Sequence, residues 1–149
     1  MKNIPIGQIL VENGFLKEDQ LEEALEKQRS EPGKKLGDVL LELGYVSETQ
    51  LAQALSIRLK VPFIDLTTTK IDIEAVKKIP EAIAKKNCCV AFQMTDSRLT
   101  VATDDPINFY IFEELKVISG MEIHAMIATR TAINETISKA YSQQTVSNV

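Results

Sequence analysis

Residues 7–28, GQILVENGFLKEDQLEEALEKQ, and residues 37–58, GDVLLELGYVSETQLAQALSIR, are the stretch that decides the fold. At an offset of thirty residues they share Gly7/Gly37, Leu10/Leu40, Glu12/Glu42, Gly14/Gly44, Glu18/Glu48, Gln20/Gln50, Leu21/Leu51, Ala24/Ala54 and Leu25/Leu55, nine identities in twenty-two positions. Ile9/Val39, Val11/Leu41, Phe15/Tyr45 and Leu16/Val46 are conservative. A repeat of this kind is one supersecondary unit used twice. Each copy reads as a short helix, a glycine stop and a longer helix. Gly14 and Gly44 suit the left-handed position just past a helix end. Ser47-Glu48-Thr49-Gln50 is a capping-box pattern, whereas the first copy has Lys17 at that position. Leu21, Ala24, Leu25 and Gln28, like Leu51, Ala54, Leu55 and Arg58, follow helical spacing.

Working outward, the chain of 149 residues carries 44% apolar and 26% charged residues, the balance of a globular protein. Its net charge of −4 argues against a general nucleic-acid binder, which needs an excess of Lys and Arg. No apolar run approaches the roughly 18 residues of a membrane span, and Met1-Lys2-Asn3 leads into no secretory core. The six glycines, at 7, 14, 33, 37, 44 and 120, frame neither a GxxxxGK[ST] phosphate loop nor a GxGxxG turn. His124 has no second imidazole with which to hold a metal. Cys88-Cys89, read as strand neighbours on opposite faces, fit a reducing compartment rather than a disulfide or metal site. No catalytic constellation is visible, so an enzyme is not expected.

After Arg58 the pattern changes. Residues 61–66 read as an edge strand that tolerates Pro62. Residues 71–87 read as helical with a break at Pro80, which opens a second helix at its first turn, and 88–95 with 99–103 as two strands around a tight turn. A helix over 108–119 ended by Gly120, a strand over 121–128 and a helix over 131–142 complete an α/β layer. The expected class is α+β: a duplicated all-helical subdomain over 1–60, an α/β subdomain over 61–142 and a flexible tail over 143–149. Gly7 and Gly37, at the starts of the short helices, are read as letting a ligand approach backbone N–H groups, a natural anion site. Two equivalent termini suit a ligand with two equivalent phosphates. Lys27, Arg29, Lys34 and Lys35 surround Glu31 between the copies, a local reversal of the acidic balance that reads either as phosphate attraction or as a solvated linker. Asp104-Asp105-Pro106 reads as turn chemistry or as carboxylates at a strand end in reach of a ligand.

Both copies resemble the twin motifs of the MshEN domain, the cyclic di-GMP-binding N-terminal domain of type II secretion and type IV pilus ATPases. That pattern runs RLGxxLVxxGLLxxxxLxxxLxxQ twice. The first copy matches it at Pro5-Ile6-Gly7, Leu10-Val11, Gly14-Phe15-Leu16, Leu21, Leu25 and Gln28. The second matches at Lys35-Leu36-Gly37, Leu40-Leu41, Gly44-Tyr45-Val46, Leu51, Leu55 and Arg58. Ile79-Pro80-Glu81, Leu99-Thr100-Val101-Ala102 and Asp105-Pro106 resemble the same family's α/β part. The chain departs from the pattern where its leading Arg is Pro5 and Lys35, and where its closing Gln becomes Arg58. Lys keeps the charge and loses the planar fork, and Pro loses both.

The resemblance implies a regulatory module without catalysis, metal or cofactor, whose ligand is cyclic di-GMP. Its implied ligand set is Ile6, Gly7, Leu10, Leu21, Leu25, Gln28, Lys35, Leu36, Gly37, Asp38, Leu40, Leu51, Leu55 and Arg58, with Asp105 from the later part. Asp38 is the candidate acceptor for a guanine edge. Implied partners are the ATPase motor domain and an inner-membrane platform protein, with no nucleic-acid polymer and no insertion into the membrane. The implied location is cytoplasmic, peripheral at the inner membrane through partners. The alternative is a docking module that couples motor to platform without binding a nucleotide.

Overall fold

A computed structural model describes residues 5–107 and 109–147. The backbone divides into two compact units at Lys60/Val61. Among the described residues there are eight helices and one three-stranded sheet, the α+β class that the sequence predicts.

The first unit comprises α1 (Ile6–Glu12), α2 (Glu18–Arg29), α3 (Leu36–Leu43) and α4 (Glu48–Leu59). Gly14 and Gly44 follow α1 and α3 with φ of 77° and 76°, the left-handed turn that a side chain opposes. Packing crosses between copies: α1 lies on α4 and α2 on α3, so exchanging the copies maps the contacts onto themselves. The core obeys the same exchange. Ile9, Leu10, Leu16 and Ala24 are buried, and so are their counterparts Val39, Leu40, Val46 and Ala54. Leu10 and Leu40 have no exposed surface at all.

The copies differ at their second helices. Ser47 Oγ accepts the Gln50 N–H at 3.1 Å, and the Gln50 side chain accepts the Ser47 N–H at 3.0 Å. In the first copy only the second half exists, from the Lys17 N–H to Gln20 Oε1 at 3.0 Å, because an ammonium accepts nothing. The linker between copies is tied down by charge. Lys34 Nζ pairs with Glu42 and lies 3.7 Å from Glu31, and Lys27 lies 3.9 Å from Glu42. Of the cationic cluster expected there, Lys27 and Lys34 are therefore paired with Glu31 and Glu42. Tyr45 adds a link to α2, its hydroxyl donating to Glu23 at 2.5 Å.

The second unit contains α5 (Ile73–Val76), α6 (Glu81–Asn87), β1 (Cys89–Met94), β2 (Arg98–Thr103), α7 (Phe109–Ser119), β3 (Glu122–Ile127) and α8 (Arg130–Ser147). β2 is the central strand, antiparallel to β1 and parallel to β3. Phe92, Leu99, Leu115, Ile133 and Ile137 form the core between sheet and helices. The Tyr141 hydroxyl of α8 donates to the Ile79 carbonyl at 2.6 Å, and burial pushes its pKa up to about 12.

Four local expectations change. Residues 61–66 make a single bridge, Phe63 to Ile127, instead of a strand. Pro62 has no N–H to extend the ladder, and Asp65 diverts the chain by accepting the Thr67 N–H and hydroxyl. Cys88 is no strand residue: it ends α6 in the left-handed region at φ 49°. Pro80 sits just before α6, as its N-cap, instead of inside the first turn. The last helix continues to Ser147, because Gln143 and Gln144 are good helix formers and no Gly or Pro intervenes. Asn148 and Val149, part of the expected tail, lie outside the described residues, as does Asn108 at the expected start of α7.

Two predictions follow from the first unit. Lys17→Ser supplies the missing cap acceptor and should stabilise by about 1 kcal/mol in urea denaturation. The second concerns pH. The Lys34 hydrogen bond holds the Glu42 carboxyl below its ordinary 4.5, and Glu42 raises Lys34 above 10.5. A lowered carboxylate stabilises the fold above its unfolded value and loses that contribution as pH falls through its folded value. Glu42→Gln should therefore be less stable than wild type at neutral pH. The gap should close as pH falls below 4.5, and on the basic side only as it rises beyond 10.5. Urea midpoints across pH check both limbs.

Candidate functional site

The motif residues of both copies enter their helices alike. Pro5 precedes α1 with φ −57° and ψ 144°, and Lys35 precedes α3 with φ −78° and ψ 147°. Proline's fixed φ therefore preserves the geometry of the entry while removing a donor and any polar side chain. Gly7 and Gly37 stand second in their helices. A Cβ on Gly7 would lie 2.6 Å from Leu21 Cδ1, and one on Gly37 would lie 3.0 Å from Leu51 Cδ2. These glycines have a packing reason apart from the expected ligand approach: a leucine of the longer helix occupies the space of the missing side chain. Leu36 also comes within 3.3 Å of that point at Gly7, so the two motifs meet there.

Within each motif the apolar positions separate by depth. Ile6, Leu21 and Leu25, with Leu36, Leu51 and Leu55, are half-buried and keep some accessible surface. Leu10 and Leu40 keep none, so they support the motif from within the core and offer a ligand nothing to touch. Lys35 is exposed, and Asp38 is half-buried in the first turn of α3, where a carboxylate favours the helix dipole.

The closing residues of the two motifs have different fates. Gln28 donates its amide N–H to the Lys34 carbonyl at 2.9 Å, fixing the linker that delivers Lys35. Arg58 Nε is buried and has no hydrogen-bond partner. An orphaned buried donor costs about 1–3 kcal/mol, so an acceptor that reaches it is rewarded. Sequence reading singled out Arg58 for its charge. It missed the Lys34–Glu42 pair and the Tyr45–Glu23 link, although the identity of Glu12 and Glu42 across copies was a signal that this acid had work to do.

The second unit offers less. Asp105 Oδ1 accepts the Ile107 N–H at 3.2 Å, and its own N–H donates to Thr103 Oγ1 at 3.1 Å, so Asp105 shapes its own loop. Asp104 receives Arg130 Nε at 2.8 Å. Burial, the larger cause, and the nearby Asp104 carboxylate push the Cys88 and Cys89 thiols up to about 12, far from nucleophile chemistry. His124 lies 3.3 Å from Glu122, and no acidic, His or Cys cluster able to hold a metal occurs among the described residues. A cleft of about 250 Å³ lies between residues 66–73 and α8, floored by Ile71 and Ile73. That is below the roughly 300–1,000 Å³ of ordinary ligand pockets. Among the described residues no helix is long and apolar enough to cross a membrane.

Known proteins share this architecture. The MshEN domain family matches residues 59–147, which is the second unit together with the end of α4. The repeats enter through a solved structure of MshE with cdg (cyclic di-GMP), 33% identical, covering 93% of this chain and 99% of that one with a TM-score of 0.79. The N-terminal domain of XpsE shares the fold at 22% identity, with a TM-score of 0.70 over 93% of this chain and 97% of that one. The type IV pilus assembly ATPase PilB of Myxococcus xanthus (strain DK1622) is 29% identical over 93% of this chain. The chain spans about a quarter of that relative's length (24%). On the family match and the MshE likeness together, the chain belongs to the MshEN domain family.

Proposed function

We propose that this chain is a non-enzymatic regulatory module of a pilus or secretion ATPase and binds cyclic di-GMP through its two helical motifs. The observation that carries the reading is the likeness to MshE, solved with that dinucleotide, along both repeats. The symmetric packing of α1 on α4 and α2 on α3 adds support, since a ligand with two equivalent halves suits two equivalent motifs. Ile6, Leu21, Leu25, Leu36, Leu51 and Leu55 supply apolar surface for ribose and base. Gly7 and Gly37 keep the backbone close to phosphate, Lys35 and Arg58 supply charge, and Asp38 accepts from a guanine edge. Ligand binding shifts the population between arrangements of the full ATPase, and the motor domain reads that shift. The module acts in the cytoplasm and reaches the inner membrane only through partners.

A docking role toward an inner-membrane platform protein is the second reading, favoured by the outer face of α7. Tyr110 is 89% and Val117 82% exposed there, seven residues apart on one helical face and open to a partner.

Calorimetric titration with cyclic di-GMP separates the two. The nucleotide reading predicts weak, measurable binding at low salt. Arg58→Ala should lose on the order of 1–3 kcal/mol, a loss that shrinks as salt rises. Pro5→Arg should gain roughly 1–2 kcal/mol, about ten-fold in affinity. If neither wild type nor Pro5→Arg binds while both stay folded, the docking role stands instead.

A further inference from the structure

The sheet of the second unit has two edges, and they are finished differently. At β1 a bulge between Ala91 and Gln93 breaks the regular edge, and the Phe92 carbonyl is taken by the Asp72 N–H at 2.9 Å. At β3 only the C-terminal end is closed. There the Ile127 N–H donates to the Pro62 carbonyl at 2.8 Å, and the Ile127 carbonyl accepts the Ile64 N–H at 2.9 Å. Backbone groups of successive strand residues point to opposite sides. The Glu122 N–H donates to the Ser97 carbonyl at 2.8 Å, on the β2 side, so Glu122, His124 and Met126 face the ladder while Ile123, Ala125 and Ile127 face outward. Among the described residues, the outward N–H and C=O groups of Ile123 and Ala125 have no hydrogen-bond partner. Residues 121–127, MEIHAMI, contain neither Pro nor Lys, and the pairing of β3 with β2 has no bulge. The usual devices that keep sheet edges apart are missing on this stretch.

We infer that the open edge of β3 is an interface for a second copy of this chain, paired antiparallel about a two-fold axis at His124. The open groups set the register. Ile123 of each copy exchanges both N–H···O bonds with Ala125 of the other. His124 then stands opposite His124 of the second copy as a non-hydrogen-bonded pair, and Glu122 stands opposite Met126, so no carboxylate meets another. A second copy is the occupant because the stretch is complementary to itself, and an isologous contact of this kind closes at the dimer. α7 packs on β3, so the same axis sets α7 beside its copy on one face of a continuous sheet. Tyr110 and Val117, exposed on that helix, gain a neighbour there. The inference concerns the second unit and does not depend on what the repeats bind.

Sedimentation equilibrium of the whole chain at rising concentration tests it, with wild type, Ala125→Pro and His124→Lys. Ala125→Pro deletes an outward N–H without removing a bond to β2, and His124→Lys sets like charges opposite each other across the axis. Circular dichroism checks folding. The His124 side chain is 43% exposed, so His124→Lys keeps the test decisive if the proline unfolds the strand. The expected result is a monomer–dimer equilibrium in wild type that each folded variant weakens by about ten-fold or more. Mild oxidation reads the register. His124→Cys should give a disulfide-linked dimer, because a non-hydrogen-bonded pair, about 4.5 Å apart at Cα, suits that bond. Glu122→Cys should give no more cross-linking than wild type with its own Cys88 and Cys89. A wild type that stays monomeric, a dimer that either folded variant leaves intact, or cross-linking at 122 as strong as at 124 overturns the inference.

Discussion

Leu21 fills the space that a side chain on Gly7 would take, and Leu51 crowds the same point at Gly37, so in each repeat the short and long helices meet so closely that a side chain there would make the leucine give way. That approach settles much else in the first unit. It leaves the leucine ends half-buried, fixes the entry of α1 and α3, and sets Leu10 and Leu40 in the interior, where they have no exposed surface. Replacing either of those two by alanine removes a fully buried side chain, a change that typically costs 2–5 kcal/mol. Because α1 packs on α4 and α2 on α3, each repeat's core is completed by the other. A single copy leaves both its apolar faces open, which is the physical reason for the duplication.

Symmetry of packing and asymmetry of charge then divide the work. The core positions repeat with almost the same side chains, since packing density punishes departures. Surface positions are free to diverge, and they have done so at Pro5 against Lys35, Lys17 against Ser47 and Gln28 against Arg58. Lys34 belongs to the same pattern. Its pairing with Glu42 converts what looks like a cationic patch into a brace for the linker. Net charge near a motif is therefore a poor guide to what a ligand meets. The partners of each charge decide it.

How much the sequence disclosed follows from these physical distinctions. The thirty-residue offset and the glycine stops are local, strong signals, and the four helices of the first unit fall where the spacing puts them, whereas the helix read from residue 71 up to Pro80 shortens to Ile73–Val76. The strand expected over 61–66 failed because Pro62 and the Asp65 side-chain turn end pairing after one bridge, an outcome set by the neighbouring β3. Cys88 failed because a left-handed residue at a helix end is normally a glycine, and nothing in a Cys-Cys pair announces it. At the site, the motif positions were legible while their depth was not. Leu10 and Leu21 look alike in sequence, and only packing makes one a core residue and the other a half-exposed surface. Likewise the sequence says that Gln28 and Arg58 are polar, but not that one is bonded to Lys34 and the other has no partner.

The family match lies on the second unit, and the likeness to MshE spans both. The central claim is that the ligand sits on the repeats. Amide chemical-shift mapping of the labelled chain during addition of cyclic di-GMP tests it most directly. The account predicts that the largest changes fall on Gly7, Leu21, Gly37, Leu51 and Arg58, with His124 and the rest of β3 little moved. Changes confined to the second unit, or none at saturating ligand, would contradict it.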